Sequence, residues 1–107
     1  MYRLRIATEL ERKWRSVLDH ELALTLPTAE GFTTIVAFNH AQTLDLNHRA
    51  YRCTVDIRRG PNREVQVSAE HSDGHAAIRH ALARAKRDLA RKRRRHLTQT
   101  TSREHIL

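Results

Sequence analysis

Apolar positions change their period along this chain, and the changes mark its elements. In Tyr2–Thr8 (YRLRIAT), Leu4 and Ile6 alternate with Arg3 and Arg5, the two-residue period of a half-buried strand. From Leu10 the interval lengthens. Leu10, Trp14, Val17, Leu18 and Leu22 recur at helical spacing, and Thr8 with Glu11 has the spacing of a capping box. A helix from about Glu9 to Leu22 or Leu24 is predicted, closed by Pro27 and Gly31. Phe32–Phe38 (FTTIVAF) is β-branched and aromatic, so a strand is predicted there. Asn39–His48 has no clean period and reads as a loop.

The alternation returns in Ala50–Arg58. Tyr51, Cys53, Val55 and Ile57 fall on one face; Arg52, Thr54, Asp56 and Arg58 fall on the other. Arg59–Asn62 (RGPN) is turn chemistry. Val65, Val67 and Ala69 then alternate again, which predicts an antiparallel hairpin with one buried and one wet face. From His71 the period is helical once more. Ser72 or Asp73 is placed to cap, and Ile78, Leu82, Ala85 and Leu89 step by four, three and four. Alanines flank this narrow stripe and allow close approach to a sheet. The order strand, helix, three strands, helix predicts an α+β two-layer sandwich, βαβββα, with a four-stranded sheet and two helices on one face. A single domain over residues 1–97 accommodates all of it. Residues 98–107 (TQTTSREHIL without its partners in the stripe) read as a polar, flexible tail.

Composition changes this picture through charge. The chain of 107 residues carries a net charge of +8. Residues 1–78 hold ten Lys/Arg and ten Asp/Glu, whereas residues 79–107 hold ten Lys/Arg against Asp88 and Glu104 alone. The whole excess therefore sits in the last quarter, which points to a directed polyanionic partner. With Ile78 set at zero and about 100° per residue, Arg84, Arg87, Arg91, Arg94 and Arg95 fall on the side opposite the apolar stripe. Arg79, Lys86 and Arg93 fall on one shoulder. After Leu89 the stripe positions are Lys92 and His96, so the last turns are expected to leave the core. The candidate RNA-binding residues are therefore Arg79, Arg84, Lys86, Arg87, Arg91, Lys92, Arg93, Arg94 and Arg95. The run Arg91–Arg95 has no acid nearby in sequence, and arginine suits bidentate phosphate contacts. Such contacts position a protein on a backbone and carry little sequence information.

Other chemistry is not called for. No apolar stretch is long enough to span a membrane, and the N-terminus has no secretory h-region. One cysteine, Cys53, excludes an internal disulfide framework, so a reducing cytoplasm is the expected compartment. The histidine spacings around His71, His75 and His80 complete no tetrahedral metal set. There is no phosphate loop or nucleophile elbow, so neither an enzyme, a cofactor nor a small-molecule substrate is expected. The aromatics Tyr2, Trp14, Phe32, Phe38 and Tyr51 form no stacking platform for unpaired bases, which leaves recognition of structured RNA by shape and backbone.

From Val67 to His96 the chain resembles the ribosome hibernation promoting factor family, also called ribosome-associated inhibitor A. Ser68, Ala69 and Glu70 match that family's strand end. Asp73, Ala76, Ala77 and Ile78 match the opening of its basic helix. The resemblance spans about residues 50–97, and the family's βαβββα order is similar to the double-stranded RNA-binding fold. It implies a short form, without the dimerisation domain of long members and monomeric when free. It also implies a rRNA-binding partner surface on the small ribosomal subunit, translation inhibition under stress or in stationary phase, and a steric mechanism in the mRNA/tRNA channel. Two other readings stay open: a double-stranded RNA-binding module of another system, and a protein-interaction module whose basic helix docks an acidic partner.

Overall fold

The structure, a computed structural model, describes residues 2–26, 31–41 and 50–106, with side chains described as far as residue 92. Its elements run β1 (Tyr2–Ile6), α1 (Thr8–Thr25), β2 (Phe32–Ala41), β3 (Ala50–Arg59), β4 (Asn62–His71) and α2 (Gly74–Ile106). The four strands form one sheet in the order β1-β2-β3-β4. β1 runs parallel to β2, with Leu4 opposite Val36. The other two pairs are antiparallel. The parallel pair follows from α1, because a crossover helix is the usual way to bring two neighbouring strands into the same direction.

The register sorts the side chains into two faces. Leu4, Val36, Val55 and Val67 stand in one cross-strand row. Phe38, Cys53 and Ala69 stand in another row on the same face. Both helices cover this face. Leu10, Trp14, Leu18 and Leu22 of α1 and Ala77, Ile78, Ala81, Leu82 and Ala85 of α2 are buried in the same core as the strand residues. Each fully buried Leu, Ile, Val or Phe contributes about 1.5–3 kcal/mol, opposed by the ordering entropy of the chain. The α+β sandwich and its βαβββα order are those predicted from periodicity.

Three local expectations change. Thr8 and Glu11 do not form a capping box. The N-cap of α1 is Ala7, which makes no side-chain capping bond. Ala7 keeps an extended backbone, and its N–H donates to the Phe38 carbonyl at 3.0 Å. The sheet ladder thus holds residue 7, and Thr8 lies inside the helix, one position too late to cap. β2 runs on through Asn39, His40 and Ala41, which pair with Arg52, Tyr51 and Ala50. A long partner strand supplies hydrogen bonds where the sequence shows no alternation; the rest of that predicted loop, 42–48, lies outside the described residues, as does Pro27. Finally, α2 continues to Ile106 through the stretch read as a polar tail. Its 33 residues make a rod of roughly 50 Å at about 1.5 Å per residue.

The start of α2 is built as expected. Asp73 Oδ1 accepts the His75 N–H at 3.0 Å, a side-chain N-cap. The Asp73 N–H in turn donates to His71 Nδ1 at 2.9 Å, which fixes the turn between β4 and the helix. Gly74 then passes directly under Trp14. A Cβ placed there would lie 2.5 Å from the indole ring, so only glycine lets the two helices meet.

Candidate nucleic-acid interface

α2 lies along β4 and β3 with its small residues against the sheet. Gly74, Ala77, Ala81 and Ala85 are buried, and Leu89 is only partly so. The cations therefore project on the remaining sides of the helix, and the protein's own body sorts them. Arg79, on the shoulder toward α1, has Nε 3.5 Å from Glu21 Oε1. Arg84 donates from Nη1 to the Ser68 carbonyl at 2.9 Å. Because β4 is an edge strand, this bond covers a carbonyl that would otherwise be open to strand addition. Lys92 Nζ stands 3.9 Å from Glu64 Oε2 of β4.

Lys86, Arg87 and Arg91 are different. All three are exposed, and none has an ion-pair or hydrogen-bond partner among the described residues. They sit on the outward side and the α1 shoulder of the rod and carry its unbalanced charge. Arg93, Arg94 and Arg95 continue the same helix, but their side chains lie outside the described residues. The sequence implied a run from Arg91 with no acid to pair with. At Lys92 that is corrected by Glu64, for a reason the linear sequence hides. The β3–β4 register shifts between Ile57 and Arg58, leaving Glu64 as an extra residue on β4. Such a bulge re-aims its side chain, here to the helix.

The opposite, helix-free face of the sheet is polar and largely self-paired. Arg52 forks onto Glu70 across the β3–β4 ladder. Thr54 and Ser68 share a hydroxyl bond at 3.3 Å. Asp56 Oδ2 accepts from Arg58 Nε at 3.1 Å, while its Oδ1 faces Arg63 Nε at 3.4 Å in an ion pair without hydrogen-bond geometry. Arg58 and Arg63 were not candidates on sequence, because one strand's alternation does not reveal which cations a neighbouring strand adds.

The remaining polar groups have structural work. Trp14 packs against Phe38, Tyr51 and His75 at ring separations of 5.2, 5.6 and 5.1 Å, with Lys13 Nζ above it. His71 caps the turn before α2, and its ring meets His80 edge-on. Among the described residues no three His, Cys, Asp or Glu side chains converge as a metal site. Burial pushes the Cys53 thiol up to about 12, which leaves it protonated and unreactive at neutral pH. No helix among the described residues is long and apolar enough to cross a membrane.

A mixed four-stranded sheet with two helices on one face is a fold this chain shares with solved proteins. The N-terminal domain of Protein Y from Thermus thermophilus superposes with a TM-score of 0.61 at 21% identity, over 82% of this chain and 92% of that one. A ribosomal subunit interface protein from Coxiella burnetii superposes with a TM-score of 0.61 at 12% identity, over 87% of this chain and 98% of the other. At these identities the likeness is one of fold. No protein-family model matches the sequence, and no curated protein matches it.

Proposed function

We propose that this chain is a non-catalytic ribosome-binding factor. It sits on rRNA of the small subunit, in the channel that mRNA and tRNA otherwise use, and silences translation under stress. The carrying observation is the group Lys86, Arg87 and Arg91: three exposed cations without a partner among the described residues, set together on one helix whose only acid up to residue 92 is Asp88. Arg93, Arg94 and Arg95 extend the group along the same helix by sequence. The fold shared with a ribosomal subunit interface protein supports the choice of partner. So do the motif residues Ser68, Ala69, Glu70, Asp73, Ala76, Ala77 and Ile78. The action is steric: guanidinium and ammonium groups hold phosphates while the sandwich occupies space, and no bond is made or broken.

Sucrose-gradient co-sedimentation with purified small subunits, at two salt concentrations, tests this reading. The wild-type chain co-sediments at low salt and is released at high salt. The K86Q/R87Q/R91Q variant binds more weakly, with the slope of log K against log salt reduced by about 2 to 3, since each lost phosphate contact removes about 0.9. Equal binding by this folded variant refutes the assigned surface. Preference for a naked RNA duplex over intact subunits favours a duplex-binding module instead. Absence of co-sedimentation at low salt favours an acidic protein partner.

A further inference from the structure

The end of the β3–β4 hairpin gathers a second set of cations. Arg58 and Arg59 close β3, Gly60 turns the chain at φ 58°, and Arg63 stands opposite Arg58 on β4. The two strand faces share them out. Arg59 is opposite Phe32 and holds its guanidinium 5.8 Å from that ring, on the helix side of the sheet. Arg58 and Arg63 are on the other side, around Asp56. One carboxylate between two guanidiniums leaves a positive charge over.

The hairpin end is also joined to the helix. Glu64, the bulged residue, reaches Lys92 at 3.9 Å, in the turn of α2 where Arg91 is unpaired and the run to Arg95 begins. Asp56 pairs with Arg58 and Arg63, and Glu64 with Lys92; with Arg59 and Arg91, the hairpin end and the adjoining turn of α2 hold five cations against two carboxylates, so three positive charges remain. Between Arg58 and Glu64 there is no large apolar side chain to anchor a protein partner. Forked guanidiniums with surplus charge fit phosphate oxygens.

We propose that the β3–β4 hairpin end is a second phosphate-contacting element, gripping the same RNA backbone that α2 contacts. The RNA partner rests on the ribosome-binding reading; the surplus charge and its junction with α2 do not. In this arrangement the Glu64–Lys92 pair is a strut that sets the angle between hairpin and helix, and the bound backbone runs from the outward side of α2 across the turn at Gly60.

The test is R59Q/R63Q, which leaves Arg58 on Asp56 and so strands no carboxylate. Affinity is measured against salt for purified small ribosomal subunits and, separately, for an RNA duplex of about 16 base pairs. Two lost contacts lower the slope of log K against log salt by about 2, and affinity falls roughly tenfold or more at about 0.1 M salt. R59K/R63K, which keeps the charge, recovers most of the slope. Should the double variant unfold on thermal melting, the single R59Q variant lowers the slope by about 0.9. A folded hairpin variant with wild-type slope on both probes overturns the hairpin element, while K86Q/R87Q/R91Q still losing affinity leaves the ribosome reading standing. A wild-type chain that ignores subunits but binds duplex, with both variants weakened, removes the ribosome reading and keeps the hairpin element.

Discussion

The two helices cover one face of one sheet, yet they are built on opposite plans. α1 presents Leu10, Trp14, Leu18 and Leu22, large side chains that fill space at every fourth position. α2 presents Gly74, Ala77, Ala81 and Ala85 beside Ile78 and Leu82, so its backbone lies close to the strands. Their charges differ in the same sense. α1 mixes Glu9, Glu11, Asp19 and Glu21 with Arg12, Lys13 and Arg15, and one pair, Glu11–Arg15, closes at 2.6 Å across a single turn. Up to residue 92, α2 has six cations and one acid, Asp88. α1 is a space-filler with a surface of mixed charge. α2 is a thin seam below and a charged ridge above, and its length exceeds what the sheet can cover.

That contrast can be broken or sharpened by substitution. Leu18 is fully buried, so Leu18→Ala empties volume that Phe38 and its neighbours cannot refill, at a cost of about 2–5 kcal/mol. In a domain of this size that is a large part of the whole stability, and urea unfolding shows a lower midpoint or no folded baseline. Gly74→Ala has the next largest effect. It presses a methyl into the Trp14 ring and costs about 1–3 kcal/mol, read as a loss in melting temperature. Asp73→Ala removes the one side-chain N-cap of the pair of helices and costs about 1 kcal/mol. Arg15→Gln opens the exposed Glu11 pair and costs no more than about 0.5 kcal/mol. A melt that ranks Arg15→Gln with Leu18→Ala would remove the distinction between filler and surface.

A pH series adds an independent check on the core. The Cys53 thiol ionises at about 9 in the unfolded chain and only near 12 when folded. The folded state therefore holds its proton longer, and stability is full below pH 9 and declines as pH rises toward 12. The expected slope from this one group is about 1.4 kcal/mol per pH unit in that window. Cys53→Ala should unfold with a shallower alkaline decline than the parent; an identical decline would mean the thiol is not shielded.

How much of this was legible beforehand differs by element. The α2 stripe and the alternation of Cys53, Val55 and Ile57 are local periodicities, and they placed helix, strands and buried face correctly. The start of α1 was not legible, because a sheet bond from the Ala7 N–H to the Phe38 carbonyl, thirty-one positions away, holds Ala7 at the N-cap position. The end of β2 was missed for a similar reason: Asn39 and His40 are strand because Arg52 and Tyr51 pair with them. Among the candidate residues, Arg79, Arg84, Lys86, Arg87, Arg91 and Lys92 all lie on α2, the helix that periodicity predicted. Periodicity could not show that Glu21, the Ser68 carbonyl and Glu64 engage three of them. Those partners sit on other elements, and only the assembled sheet brings them near.

The lone indole of the chain sits where both helices, the sheet and a histidine come together. Trp14 touches Phe38, Tyr51 and His75 and lies against Gly74. Its emission therefore serves as a built-in optical gauge of whether α2 is seated. Withdrawal of the helix end would shift the spectrum to the red as water enters, without any dye or label.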